Sequence, residues 1–456
     1  MKAIQKIFQF YMLVIFGSIV YSCIGSTSTD TKEPTITDID TFLSPNPENI
    51  VFTNANLITM TSDEVLLRQD LYVRGGLVEK ILPSQDGNDY SGYRRIQANG
   101  TYLMPGMGNM YVHLLSSYYS NYKKDLFLHL AHGITTVRSM WGSDFQVGLR
   151  DSIENGLILG PTMYVASPGF DGSRGVWPGS VITKNAKEVR DKVAEFDQKN
   201  YDFIKVYSGL SSEEYFALLD EAEIMGIRPI GHIPFTVPIS TILDHNQKSI
   251  SHLQGYAVWV NQISDWNRIR SLAKKTAASK TWSCPTLSVV NRETGQINDF
   301  KNSSEMSHIS PEYRSFMTSG GTQPVVSDAS MMHQQRLRFI GLLHEMNANI
   351  LVCTDTGLRY VFPGFTFFEE LQYYQQAGLS NYEVLKTATV NMGNYLGNDK
   401  LGVIRQGAQA DLIMLRENPL DDIEALETRE GVMTKGTWFP KNKIDEVLHG
   451  IVNSYE

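Results

Sequence analysis

Three short apolar runs between Asp202 and Tyr256, each closing on a residue able to hold a metal ion, constrain this chain more than any other feature. They read D-F-I-K-V-Y, R-P-I-G-H-I-P and K-S-I-S-H-L-Q-G-Y, and carry Lys205, His232 and His252. Each run has strand length, and the segments between them, Ser211 to Gly226 and Val237 to Asn246, are amphipathic enough for crossover helices. Steps of 27 residues (205 to 232) and 20 residues (232 to 252) suit successive βα units. Three polar groups are therefore expected at the carboxyl ends of three adjacent parallel strands, where barrel enzymes build their active sites.

The chain offers eight such strands in order: Met110 to Leu114, Thr135 to Ser139, Thr162 to Ser167, Phe203 to Val206, Arg228 to His232, Ser249 to His252, Thr281 to Cys284 and Leu351 to Asp355. Helical segments alternate with them, among them Lys184 to Lys199, Gln334 to Met346 and Asn381 to Leu396. The expected class is α/β, with a (β/α)8 TIM barrel over residues 104–390. Two connections exceed what that fold needs, Gly169 to Ser180 and Leu287 to Met331. Long loops on a catalytic face commonly serve as lids or specificity loops, disorder being the alternative.

Outside the barrel the texture changes to short β segments. Ile50 to Thr59, Asp70 to Arg74, Leu77 to Ile81 and Arg94 to Ala98 precede it, and Ala410 to Leu415 and Gly431 to Phe439 follow. They predict one small β-sandwich domain built from residues 48–103 and 391–445, with the barrel inserted between its halves.

A chain of 456 residues with 42% hydrophobic content can bury a large core. Its 40 basic against 49 acidic residues give a net charge of −9, which argues against a nucleic-acid partner. At the N-terminus, Lys2 and Lys6 precede an apolar run from Ile7 to Tyr21 that is too short to span a bilayer. The run ends V-Y-S-C, which resembles a bacterial lipoprotein signal with Cys23 as the lipidated residue; a plain export signal is the alternative. Residues 1–23 are thus expected to be a signal peptide and residues 24–47, rich in Ser, Thr, Asp and Pro, a flexible tether. The protein is expected to be exported and lipid-anchored in the cell envelope, touching membrane only through that anchor. Cys284 and Cys353 suggest no disulfide framework and are expected as buried structural thiols.

The polar strand-end residues form a constellation. His113 closes the first strand, Lys205 the fourth, His232 the fifth, His252 the sixth and Asp355 the eighth. A single strand-end histidine is more often structural than a ligand, but five such residues on one rim are not readily explained that way. Imidazoles and carboxylates are the ligand set of a catalytic zinc site that keeps one position open for water. Tyr207 shares a face with Lys205, Tyr256 follows His252, and Arg359 lies just beyond Asp355. An arginine with tyrosines there could grip a substrate carboxylate, rim packing being the alternative. Arg138 and Trp177 have only position in their favour. His129, His132, His245, His308, His333, His344 and His449 fall on helices, in loops or in the tail and are expected to be structural or solvated.

From about Ile50 to Phe439 the sequence resembles the amidohydrolase superfamily, in particular the imidazolonepropionase-related members that include prolidase-like metallo-dipeptidases. The landmarks are L-M-P-G-M-G-N-M-Y-V-H (103–113), G-I-T-T-V-R (133–138), I-K-V-Y (204–207), G-H-I-P (231–234), S-H-L (251–253), T-D-T-G (354–357), and A-T-V-N followed by L-G and Q-A-D-L-I (388–413). The resemblance implies a barrel with a β-sandwich, and one or two divalent metals, zinc above all. It also implies that Lys205 is carboxylated into an anionic bridge, that His232 and His252 hold the more exposed metal, and that His113 and Asp355 hold the more buried one.

The first-strand motif departs from the family's Asp-x-His-x-His. Asn109 and Tyr111 stand where the acid and the first histidine are expected. A phenol with a pKa near ~10 is a poorer zinc ligand than imidazole. Three readings stay open: a one-metal enzyme using the exposed site, a two-metal enzyme with Tyr111 as an unusual ligand, or a protein that binds without hydrolysing. The favoured reading is a one-metal hydrolase of amide or peptide-like carbon–nitrogen bonds. In it a metal-activated water attacks the carbonyl, Asp355 acts as general base, and the substrate is a small molecule such as a dipeptide or acyl amino acid. The alternative is a catalytically degenerate, envelope-anchored binding protein on the same scaffold.

Overall fold

The computed structural model describes residues 44–114, 121–245, 247–257, 260, 265–294, 300, 303–319 and 328–455. The proposed signal, Cys23 and most of the tether lie outside them. Among the described residues no helix is long and apolar enough to cross a membrane.

Five strands precede the first βα unit: β1 (Ile50–Ile58), β2 (Val65–Arg74), β3 (Leu77–Pro83), β4 (Arg94–Gln97) and β5 (Tyr102–Pro105). Three more close the chain: β14 (Leu412–Leu415), β15 (Arg429–Thr434) and β16 (Thr437–Pro440). All eight join one mixed sheet in the order β16-β15-β14-β5-β1-β2-β3, with β4 paired to β1. The two chain ends meet where β5 and β14 run antiparallel, Met104 opposite Ile413. Ile50, Phe52, Leu71, Leu412 and Trp438 form its buried core.

Between these halves lie eight parallel strands, β6 (Met107–Val112), β7 (Ile134–Ser139), β8 (Thr162–Val165), β9 (Phe203–Val206), β10 (Arg228–Gly231), β11 (Ser249–Ser251), β12 (Trp282–Cys284) and β13 (Asn349–Ile350), the last ending just before the expected Leu351 to Asp355, which is not a strand. They form a three-stranded sheet, β6-β7-β8, and a five-stranded sheet, β13-β12-β11-β10-β9. Two seams join them. Backbone bonds from Ser167 N to Phe203 O (2.8 Å) and from Asp202 N to Val165 O (2.9 Å) link β8 to β9. Met110 N to Val352 O (3.0 Å), Asp355 N to Tyr111 O (3.0 Å) and His113 N to Thr356 O (2.7 Å) link β6 to the segment after β13.

All four residues of β9 are buried, as expected of a parallel strand covered on both faces. Ile204 and Val206 enter the large core under the helices, whereas Phe203 joins Tyr111, Ile230, Leu351 and Tyr395 in a separate inner cluster. Strand alternation therefore sends Phe203 and Lys205 to the inside. Helices of the expected kind cover the outside. Ser212–Met225 begins with a Ser211/Glu214 capping box and ends on left-handed Gly226.

Two expectations need correction. The long connection from Leu287 to Met331, expected as a loop, contains among its described residues helices Leu287–Thr294 and Pro311–Ser319 and a 3-10 turn at Ser304–His308. Arg292 forms a two-pronged salt bridge with Glu369, and the buried Glu370 carboxylate accepts from Leu287 N (2.8 Å), Ser288 N (2.8 Å) and Ser288 Oγ (2.7 Å). Cys284 and Cys353 are not free thiols: they form a disulfide, with Cα atoms 5.5 Å apart. Cys284 ends β12 and Cys353 lies just past the neighbouring β13, so adjacent strands bring the two together within bonding reach.

Candidate active site

Strand register sets the site. Lys205 lies opposite Ile230, and Ile230 lies opposite Ser249, so the residues one or two steps onward from each strand share a rim. His232 N bonds Val206 O (3.0 Å), and His252 N bonds Cys284 O (2.9 Å). Two motif glycines make this possible. A Cβ on Gly231 would stand 2.7 Å from Lys205 Cδ, and one on Gly357 would stand 2.6 Å from His113 O; both residues have left-handed φ, +110° and +107°. His252 (φ 59°), Thr286 (φ 53°) and Asp355 (φ 63°) are non-glycine residues held in the left-handed region. Each costs of order 1 kcal/mol or more, a kind of strain that collects at functional sites.

The structure gathers Lys205, Tyr111, His252 and His232 into one cluster. Lys205 Nζ donates to Tyr111 Oη at 2.8 Å. Tyr111 Oη lies 3.2 Å from His252 Nε2, which lies 3.1 Å from His232 Nε2. His113 and Asp355 pair beside it, Nε2 to Oδ1 at 3.0 Å, with Asp355 Oδ2 3.9 Å from His252 Nδ1. The Tyr111 ring packs edge-on against His113 at 5.4 Å.

Burial dominates the electrostatics. It pulls the Lys205 amine down to about 7, against the upward pull of Asp355. It holds His252 at about 4 and His232 well below the ordinary imidazole value, the latter with help from Lys205, His252 and His113. The Tyr111 phenol is driven well above its usual range by burial, then by Asp355 and Tyr207, and so stays protonated. Burial acts to raise the Asp355 carboxyl, but its His113 hydrogen bond and the charges around it bring it below the usual carboxylate value.

Among the described residues no three His, Cys, Asp or Glu side chains are gathered so as to hold a metal by themselves. The facing His232 and His252 nitrogens need Lys205 or Tyr111 to complete a set. Two nitrogens at ~2.0–2.1 Å from one tetrahedral ion are separated by a little over 3 Å. The 3.1 Å between the imidazoles fits a single divalent ion. On the other side Tyr111 replaces an imidazole, and His113 is paired with Asp355, so the donors for a second ion are not complete.

Tyr207 stacks on His232 with ring centroids 4.1 Å apart. Its hydroxyl accepts from Trp177 Nε1 at 2.6 Å. Trp177 rides on the Gly169–Ser180 loop, which Asp171 ties down by accepting from Val176 N (2.9 Å) and Gly209 N (2.7 Å). Tyr256 is not brought to the site, because its hydroxyl donates to Thr276 (2.8 Å) and its ring packs on Phe339. Arg359 is half-buried in the turn after Asp355, with a φ of 30°.

Three supports surround the cluster, of which sequence reasoning gave Arg138 no more than its position and missed Thr286 and Gln254. Arg138 lies buried inside, donating to Met110 O (2.7 Å), Ser249 Oγ (3.2 Å) and the Tyr395 hydroxyl. Thr286 bonds His252, and Gln254 bonds His232.

Ligand-type side chains thus stand at the ends of parallel strands in a mixed α/β fold, beside a mixed sheet made by both chain ends. Residues 259–439 match the amidohydrolase family, in line with the resemblance carried by the motifs. Among solved structures, a bottromycin amidohydrolase is 23% identical, with 92% of this chain and 94% of that one covered and a TM-score of 0.77. A Xaa-Pro dipeptidase with methionine bound in its active site is 20% identical (86% and 100% covered, TM-score 0.68). A putative prolidase from Bifidobacterium longum is 23% identical (89% and 100% covered, TM-score 0.68). At these identities the likeness is one of fold. No curated protein matches the sequence.

Proposed function

We propose that this protein hydrolyses amide or peptide-like carbon–nitrogen bonds in a small molecule, a dipeptide or acyl amino acid, with one divalent metal, zinc by preference. The observation that carries this reading is the convergence of Lys205, His232 and His252, the two imidazole Nε2 atoms 3.1 Å apart, beside the Asp355 carboxylate. The two seams between the parallel sheets support a closed (β/α)8 barrel over residues 104–390. The mixed sheet supports a β-sandwich domain from residues 48–103 and 391–445.

Lys205, His232 and His252 would hold the ion, leaving a fourth position for water beside the protonated Tyr111 hydroxyl. A divalent ion there supplies polarisation of the substrate carbonyl and acidifies bound water. An amine with a pKa of about 7 is substantially neutral near pH 7, so Lys205 can take up carbon dioxide as a carbamate and become an anionic ligand. Asp355, held as an anion and oriented by His113, accepts the proton of the attacking water and returns it to the leaving amine. Tyr207 and Trp177 would form one side of the recognition surface, and Arg359, just beyond Asp355 in sequence, would meet a substrate carboxylate. Export through the lipoprotein-type signal, with Cys23 as anchor, is supported by the buried disulfide, a bond typical of oxidising compartments.

The test is a panel of dipeptides and N-acyl amino acids, assayed before and after chelation and after zinc is restored. Hydrolysis that disappears and returns supports the reading. Tight binding without turnover would instead favour the degenerate binding protein.

A further inference from the structure

Each imidazole facing the candidate metal position has a partner that decides which of its nitrogens carries the proton. Gln254 Oε1 accepts from the backbone N–H of Ile233 at 3.1 Å, so the carbonyl end of that amide is committed. Its NH2 end then lies 3.1 Å from His232 Nδ1 and must donate to it. The buried Ser208 hydroxyl, 3.3 Å from the same nitrogen, is free to donate as well. A neutral His232 whose Nδ1 accepts carries its hydrogen on Nε2.

The opposite choice is imposed on His252. Thr286 Oγ1 donates to Pro285 O at 2.7 Å, so toward His252 Nδ1, at 2.6 Å, it can only accept. His252 therefore carries its hydrogen on Nδ1 and turns the Nε2 lone pair inward, the tautomer a metal ligand needs. Across the 3.1 Å gap, His232 Nε2–H donates to that lone pair.

We propose that Gln254 holds His232 in the tautomer that opposes metal binding and so sets the affinity of the site, an inference that rests on the metal-dependent reading above. Loading then requires the His232 proton to move from Nε2 to Nδ1 and the Gln254 amide to turn or withdraw. Gln254 is a positioning residue. Most metal-ligating histidines give their second N–H to an acceptor, and losing such a partner typically changes metal affinity by ~10–100-fold. A carboxylate at position 254 would accept from both Ile233 N and His232 Nδ1–H, removing the conflict.

The test uses the whole exported chain, freed of metal by chelator dialysis. Long-range proton–nitrogen spectra of 15N-histidine protein, with His232 assigned by a His232→Gln variant, read the tautomer directly. Zinc competition against a chelating dye reads affinity for the natural protein and for Gln254→Glu. The expected result is an Nε2–H His232 in the natural protein, an Nδ1–H His232 in Gln254→Glu, and roughly 10–100-fold tighter zinc in the variant. An Nδ1–H His232 in the natural protein, or equal zinc affinity in the two, would overturn the inference and leave the hydrolase reading standing. Zinc binding by neither protein would overturn both.

Discussion

Lys205 and Tyr111 are joined on the inner face of the parallel strands, the amine nitrogen 2.8 Å from the phenol oxygen and 4.5 Å from the centroid of its ring. Tyr111 is therefore part of the cluster and not a bystander to it. Its hydroxyl reaches the cluster of Lys205, His252 and His232, while His113 pairs with Asp355.

If Asp355 moves the proton, replacing it by Asn should leave the ion bound and slow the reaction. A fall in kcat of roughly 10²–10⁴ is expected, with metal content per chain unchanged. Normal turnover by Asp355→Asn would remove the carboxylate from the mechanism.

Trp177→Phe deletes the N–H that the Tyr207 hydroxyl accepts. A single hydrogen bond of ~1 kcal/mol corresponds to about fivefold in KM. Steady-state kinetics should show that rise with kcat nearly constant. A fall in kcat with KM unchanged would place Trp177 in the chemistry and not in recognition.

Glu370 makes stability depend on pH. Burial raises its carboxyl from 4.5 to about 7 in the folded chain, against three donors that favour the anion. Between those values the folded state holds a proton that the unfolded state has lost, so stability falls as pH rises from 4.5 to 7, by up to about 3 kcal/mol. Buried imidazoles such as His129, held at about 3 by burial, act in the opposite sense over pH 3 to 6.5. The difference in Tm between the natural protein and Glu370→Gln, followed across pH, isolates the carboxyl. The natural protein's relative Tm should drop toward neutral pH, and a pH-independent difference would count against the shift.

The disulfide spans 69 residues and ties the strand bearing Asp355 to its neighbour. Closing a loop of that length stabilises a chain by about 4 kcal/mol on the entropic model, with ~2–4 typical in practice. The Cys284→Ser, Cys353→Ser double variant should lose that much in denaturant unfolding. Natural protein with both thiols free after oxidative export would contradict the pairing.

What the sequence made legible follows from periodicity. Phe203 to Val206 and Ser211 to Gly226 lie where a strand and a crossover helix were expected, because a short, largely apolar run and an amphipathic segment are local signals. The ligand positions could be read because strand ends bring them to one rim. The disulfide was missed because each cysteine was judged in its own strand, although the eight-strand order already made those strands neighbours. Tyr256 was placed at the site by nearness to His252 in sequence, but the left-handed turn at His252 and Leu253 (φ 53°) sends the chain back toward the helix Trp266–Ala278. Arg138, Thr286 and Gln254 carry no signal alone, since their roles exist only through tertiary hydrogen bonds.

The central claim is a single working metal position built on Lys205, His232 and His252, and the metal content of the purified chain tests it most directly. One divalent ion per chain is expected in the natural protein, none in His252→Ala, and two in Tyr111→His, where an imidazole is restored beside His113. A natural protein that takes up no ion from metal-supplemented buffer would contradict the account.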